Sequence, residues 1–269
     1  MPNKTKQDLP LIIGHRGASA LAPENTLAAF TRALADGAGG VELDVRLARD
    51  GVPVVIHDAT LRRTGRRDGT VAEMTSAELG RTDVGSWFNR SHSSLARAEY
   101  LRQSVPTLAQ VFDLFKRRPG IIYVEMKTDQ AEDTYGELAR SVAQFVDEQR
   151  LGGRVVVVSF NLEAISWIKS INPDIATGAL FEPRRNLVQT LRKHPMITAA
   201  LECGADQILL HRLIATKRLV SLAAENDLRP VVWTADEPKW LTRRTSFGIH
   251  ALITNNPALM TAALPRDVR

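Results

Sequence analysis

A (β/α)8 barrel is the fold this sequence predicts, and three observations carry it. Strand-like and helix-like patterns alternate from Leu11 to Thr254. Nine runs read as strands, and one of them turns back on its predecessor through an Asp-Gly pair, which leaves eight that can run parallel. The 269 residues suit one such barrel. The expectation is a single barrel unit over 1–269, with an insertion over about 46–105 after the second barrel strand.

The elements follow in order. Leu11-Ile12-Ile13 is a short apolar run ending in Gly14-His15-Arg16-Gly17, so its polar residues sit at the C-terminal tip. Pro23-Glu24-Asn25-Thr26 opens a helix running to about Ala35. Val41 to Val45 is the second strand, and Val54 to His57 returns antiparallel to it. From Ala59 to Val105 about 47 residues contain no barrel strand, and Thr75 with Glu78 forms a capping-box pattern for a short helix there. Thr107 to Lys116 is amphipathic and leads to the strand Ile121 to Met126. Three helix–strand pairs come next: Thr134 to Gln149 with Val155 to Phe160, Glu163 to Ser170 with Ile175 to Phe181, and Val188 to Glu202, interrupted by Pro195, with Gln207 to Leu210. Lys217 to Asn226 precedes Pro230 to Thr234, and Pro238 to Arg244 precedes Ala251 to Thr254.

Composition narrows the function. Hydrophobic residues make up 44% of the chain, enough for a sizeable core, and no run approaches the roughly 20 apolar residues of a membrane span. No apolar segment follows the N-terminal lysines, so no signal peptide is expected; with one cysteine, Cys203, no internal disulfide can form, and a cytoplasmic location is expected. The net charge of +5 is spread over pairs such as Arg62-Arg63, Arg66-Arg67 and Arg117-Arg118. Such pairs read first as solvated surface; a transient contact with anionic head groups at a membrane surface is the functional alternative. No nucleic-acid recognition module is present, and no nucleic-acid partner is expected.

The hairpin concentrates the chemistry. If Asp50-Gly51 is a two-residue turn, Arg49 faces Val52, Asp44 faces His57, and Glu42 lies two residues along the same face. Glu125 and Lys127 share one side of a later strand. Two carboxylates and a histidine on one buried patch are costly unless a cation joins them.

These residues carry a resemblance. His15-Arg16-Gly17, Pro23-Glu24-Asn25-Thr26, Glu42-Leu43-Asp44-Val45, His57-Asp58 and Glu125-Met126-Lys127 stand in the order of the glycerophosphodiester phosphodiesterase family. Weaker matches follow at Trp233-Thr234 and from Thr254 to Pro257, so the resemblance spans residues 11 to 257. It implies a TIM barrel in which the insertion helps wall the site, and an enzyme that cleaves glycerophosphodiesters to glycerol 3-phosphate and an alcohol. Many relatives have Asn where this chain has Asp236, and Asp where it has Asn255. The first difference is expected to bear on how the leaving group is held, the second on support of the last strand.

The residue types fit that chemistry. Glu42, Asp44 and Glu125 are hard oxygen donors suited to one Mg²⁺ or Ca²⁺; the alternative is salt bridging to Arg16, Arg46 and Lys127. His15 and His57 can transfer protons on either side of phosphorus. Arg16 and Lys127 offer positive charge to nonbridging phosphate oxygens. Asn25 either donates to the substrate or caps the first helix, and Trp233 either packs on glycerol carbons or fills the core. Phe160 and Phe181 are expected on the same wall, with His211 as a substrate contact. The rival readings are a lysophospholipase D with an acyl channel built by Val84 to Phe88 and Leu95 to Leu101, and a catalytically silent phosphate-ligand binding protein on the same barrel.

Overall fold

The computed structural model describes residues 10–128, 134–183 and 193–264. Among these, nine strands and ten α-helices alternate. They are β1 (Leu11–His15), α1 (Leu27–Ala35), β2 (Gly40–Leu47), β3 (Pro53–Val55), α2 (Ser76–Leu79), α3 (Ser86–Ser91), α4 (Leu108–Lys116), β4 (Ile121–Met126) and α5 (Thr134–Glu148). Then come β5 (Val155–Ser159), α6 (Leu162–Ile171), β6 (Ala176–Phe181), α7 (Lys193–Glu202), β7 (Gln207–His211) and α8 (Lys217–Glu225). The described elements close with β8 (Arg229–Trp233), α9 (Lys239–Phe247), β9 (Ala251–Thr254) and α10 (Pro257–Ala262). Eight parallel strands run in the order β1-β9-β8-β7-β6-β5-β4-β2, and β1 pairs with β2 to close the barrel. This is the TIM barrel expected from the strand count, with β3 antiparallel on β2 outside the cycle.

Strand alternation divides the core into two layers. Leu43, Val45, Val124 and Met126 face the helices, beside Phe30, Phe112 and Phe115. Ile13, Tyr123, Val158, Leu209, Val231 and Ile253 fill the barrel interior. Residues two apart on a strand share a face, so Glu42, Asp44 and Glu125 continue the interior layer upward to the C-terminal mouth, where barrel enzymes carry their sites.

Helix ends match local sequence signals. Thr26 caps α1 through Ala29 N, and Thr107 and Thr75 each complete a capping box, with Gln110 and Glu78. Pro195 does not interrupt its helix among the described residues: α7 is continuous over Lys193–Glu202. The part of the expected helix from Val188 to 192 lies outside the described residues. A final helix, α10, begins at Pro257 and is capped by Asn256.

The hairpin register differs from the two-residue turn read in the sequence. Ala48 O accepts from Gly51 N at 2.9 Å and Ala48 N donates to Val52 O at 3.0 Å, so Arg49, Asp50 and Gly51 form a three-residue loop. Gly51 takes φ of 73°, the left-handed position that such loops require. Val45 therefore pairs with Val55, and Ile56 N reaches Asp44 O, which makes Ile56, and not His57, the cross-strand neighbour of Asp44. His57 lies beyond the end of β3, free of strand alternation. Asp50 is drawn away to accept from Ser76 N and Oγ, which ties the loop to α2.

The insertion has cores of its own. Val54, Ile56, Leu61, Val71, Leu79 and Val105 form one; Phe88 and Tyr100 pack with Ala22 and Ala29 in another. Val84, Phe88 and Tyr100 are thus buried packing groups, whereas most of Leu95 to Leu101 is exposed, Leu101 at 51%.

Candidate active site

Three adjacent strands bring the acids together. His15 on β1 is level with Glu42 on β2, and Asp44 on β2 is level with Glu125 on β4. All three carboxylates are buried, and one oxygen from each lies within 4.8 Å of the others. After β1 the chain turns sharply: Arg16 has φ of 54° and Gly17 φ of 81°. A Cβ on Gly17 would lie 2.6 Å from the Ala29 backbone, so glycine is required where this turn meets α1. The turn aims Arg16 N at Glu42 Oε2 (2.9 Å) and the guanidinium at Asp44 Oδ2 (3.2 Å) and Glu24 Oε1 (2.9 Å).

Charge is unevenly shared among the acids. Lys127 Nζ lies 2.9 Å from Asp44 Oδ1 and also pairs with Glu125. Burial would raise the Asp44 carboxyl, but Lys127 and Arg16 outweigh it and hold it well below the usual range. Burial, then the charge of Asp44, pushes Glu42 up to about 8 and Glu125 up to about 7. Glu42 Oε1 is buried with no hydrogen-bond partner among the described residues. Three hard carboxylates, two cations and one orphaned oxygen fit a divalent ion, so the triad could hold a metal. Arg16 and Lys127 do salt-bridge to the cluster, as the alternative reading had it, and Arg46 donates Nε to His57 O.

The two histidines arrive from different directions. His15 Nδ1 bonds Asn255 Oδ1 at 2.6 Å, and its Nε2 lies 3.9 Å from Glu42 Oε2. His57 Nδ1 bonds Asp58 Oδ1 at 2.7 Å, and Arg63 holds Asp58 (2.6 Å) and both oxygens of Glu24 (2.6 and 2.8 Å). Burial, ahead of the Arg16 charge, holds His15 below its usual value. Burial also lowers His57, against the pull of Asp44.

Several sequence alternatives resolve here. Asn25 does not cap α1; it donates Nδ2 to Asp44 Oδ2 at 2.7 Å and accepts from Asp44 N at 3.3 Å, in a left-handed conformation (φ 55°). Trp233 is half-buried on the interior layer and donates Nε1 to Leu209 O. Its ring meets Phe160 and His211 edge-on, at 5.5 and 5.1 Å. Phe160, 41% exposed, joins that wall, whereas Phe181 packs toward the helix layer. Asn255 does more than support the last strand, since it bonds His15, and Asp236 accepts from Asn255 through both oxygens. Arg63 looked like half of a surface pair, and no local pattern marks it as the clamp between Glu24 and Asp58.

Fold and site together define a barrel protein with an acidic, cation-ready basin and two histidines at its C-terminal mouth. The chain belongs to the glycerophosphoryl diester phosphodiesterase family, whose sequence profile matches residues 15–259. A glycerophosphodiester phosphodiesterase of Caldanaerobacter subterraneus is 30% identical over 92% of this chain and 94% of its own length. One from Bacillus subtilis is 29% identical over 96% of this chain and 87% of its own. Among solved structures, an Oleispira antarctica phosphodiesterase in complex with the product sn-glycerol-3-phosphate superposes with a TM-score of 0.80 at 25% identity, covering 95% of this chain and 96% of that one.

Proposed function

We propose that this protein is a metal-dependent hydrolase of glycerophosphodiesters, releasing glycerol 3-phosphate and an alcohol. The observation that carries the reading is the convergence of His15, His57, Arg16 and Lys127 around the buried triad Glu42, Asp44 and Glu125. The triad would hold one Mg²⁺ or Ca²⁺, which when bound supplies Lewis-acid charge to a phosphate oxygen. Arg16 and Lys127 bind nonbridging oxygens and oppose the charge that develops on them. Asn25 orients Asp44 and can turn its amide to the substrate. One histidine takes the proton of the attacking oxygen, from water or from the substrate's own 2-hydroxyl, and the other protonates the departing alkoxide. Trp233 packs against the glycerol carbons. The barrel and its insertion act as one catalytic unit, since His57 and Arg63 come from the excursion and His15 and Glu24 from the barrel.

The test is turnover of glycerophosphocholine and glycerophosphoethanolamine, with and without EDTA. Release of the alcohol, lost with EDTA and restored by Mg²⁺ or Ca²⁺, is expected. Binding of these diesters without turnover by metal-loaded protein would favour the silent binding protein instead. The exposed Phe160 and Leu213 (41% and 68%) are what favour a lipid-bearing substrate. A higher kcat/KM on lysophosphatidylcholine than on glycerophosphocholine would establish the lysophospholipase D reading.

A further inference from the structure

A run of hydrogen bonds with a defined direction leads away from His15. Asp236 Oδ1 accepts from Asn255 N at 2.7 Å and from Thr254 Oγ1 at 2.9 Å. The threonine hydroxyl itself accepts from Asn256 N, so its own proton is free to go to Asp236. Asp236 Oδ2 accepts from Asn255 Nδ2 at 2.8 Å. A carboxylate used as an acceptor at both oxygens forces the nitrogen end of the Asn255 amide to face it. The oxygen end must then point the other way, to Ser19 Oγ at 2.9 Å and His15 Nδ1 at 2.6 Å. An amide oxygen cannot donate, so the proton of that last bond has to sit on Nδ1. The nitrogen left with a lone pair is Nε2, which lies toward the acidic basin, 3.9 Å from Glu42 Oε2.

We propose that Asp236 and Asn255 are positioning residues that set the tautomer and ring orientation of His15, so that Nε2 is its only proton-exchanging nitrogen toward the substrate. The proposal rests on His15 being a proton-transfer group. Asp236 touches neither the ring nor the basin; it acts by orienting an amide, as the third member of a nucleophile–base–orienter set acts on its imidazole. Asp236 follows β8 and Asn255 follows β9, so the relay also joins two strand tips, and its test must separate positioning from support.

Asp236→Asn makes that separation. The new amide must keep its oxygen on Asn255 N and Thr254 Oγ1 and so presents NH₂ to the Asn255 side chain. Asn255 then turns its oxygen to residue 236 and its NH₂ to His15 Nδ1, which can only accept. The ring is driven to the Nε2–H form. The expected result is a fall in kcat of about 10²-fold, the scale for losing a positioned acid–base group, with KM changed by no more than about twofold. In ¹⁵N-histidine spectra, with the His15 signals assigned by their loss in His15→Ala, the protonated nitrogen should switch from Nδ1 to Nε2. The double exchange Asp236→Asn with Asn255→Asp puts a carboxylate against His15 that accepts from both neighbours. It should restore the Nδ1–H form and most of kcat. An unchanged tautomer in Asp236→Asn, or a double exchange no better than the single one at equal melting temperature, would overturn the proposal. If Asp236→Asn does not fold, Asn255→Ala gives the same readout: mixed His15 tautomers support the relay, and a pure Nδ1–H form refutes it. Full activity in His15→Ala would instead sink the proton-transfer reading, while the spectra still judge the relay by themselves.

Discussion

The two halves of the barrel mouth share one backbone pattern and carry opposite chemistry. On β1, β2 and β4 the inward positions near the tips are His15, Glu42, Asp44 and Glu125, with Arg16 and Lys127 just beyond the strands. On β5 to β8 the inward positions are Val158, Leu180, Leu209, Val231 and Trp233, with Phe160 and His211 at the rim. Strand alternation delivers side chains to the mouth without regard to their nature, so the division is one of side-chain choice. A basin that holds charge faces a wall that holds carbon. In the proposed reaction the phosphate lies on the first and the carbon portion of the substrate on the second, so the two halves should fail in different ways.

The largest effect should come from the charged half. Removing metal with EDTA is expected to lower turnover by about 10³-fold or more, since Lewis-acid stabilisation of a phosphoryl oxygen is worth several kcal/mol. Glu42→Gln should weaken both metal binding, read by calorimetry, and turnover. Undiminished activity of the EDTA-treated enzyme would remove the metal from the charged half altogether.

Next come the histidines. His15→Ala and His57→Ala should each cut kcat by roughly 10²-fold with the fold intact by circular dichroism. The double variant should fall by less than the product of the two, because both act on one transition state. A nitrophenyl ester needs no proton on departure, so it should rescue the variant lacking the acid and not the other. Equal rescue of both would break the division of labour between them.

The carbon-facing half should give small effects confined to binding. Phe160→Ala and Trp233→Ala are each expected to raise KM by about 2–10-fold, the range that a lost edge-to-face ring contact supports. A loss in kcat as large as that of the histidine variants would show that the wall is not passive.

The smallest effect is on stability and sharpens the comparison at its source. Glu42 and Glu125 are raised to about 8 and about 7 in the folded protein, so between their ordinary values and these the folded state binds more protons than the unfolded one. That favours folding at the low end and is lost as pH rises. His15 and His57 are lowered and act in the opposite sense, but only below their ordinary value of about 6.5. From about pH 6.5 to 8 the melting temperature of metal-free protein should therefore fall, and divalent metal, by displacing those protons, should flatten the slope. A metal-free melting temperature that rises across this window would contradict the assigned charge balance.

Much of the barrel could be read from local pattern. Period-two strands, Thr75 with Glu78 as a capping box, and the count of eight parallel strands are short-range properties, and each appears where the pattern puts it. The acid triad was legible for the same reason, because residues two apart on a strand share a face and neighbouring strands in a parallel barrel bring their tips level. What the sequence could not determine depends on partners far along the chain. The loop at Gly51 takes a third residue because its left-handed glycine and the pull of Ser76 on Asp50 favour that turn, and this shifts the hairpin register by one. Asn25 turns to Asp44 because Thr26 already caps the helix, and Arg63 becomes a clamp only once the excursion folds back over Glu24. Asp236 and Asn255 acquire their roles from Ser19 and His15, which lie more than 200 residues away in sequence. The direction of a hydrogen bond depends on what sits at both of its ends, and only the tertiary structure brings those ends together.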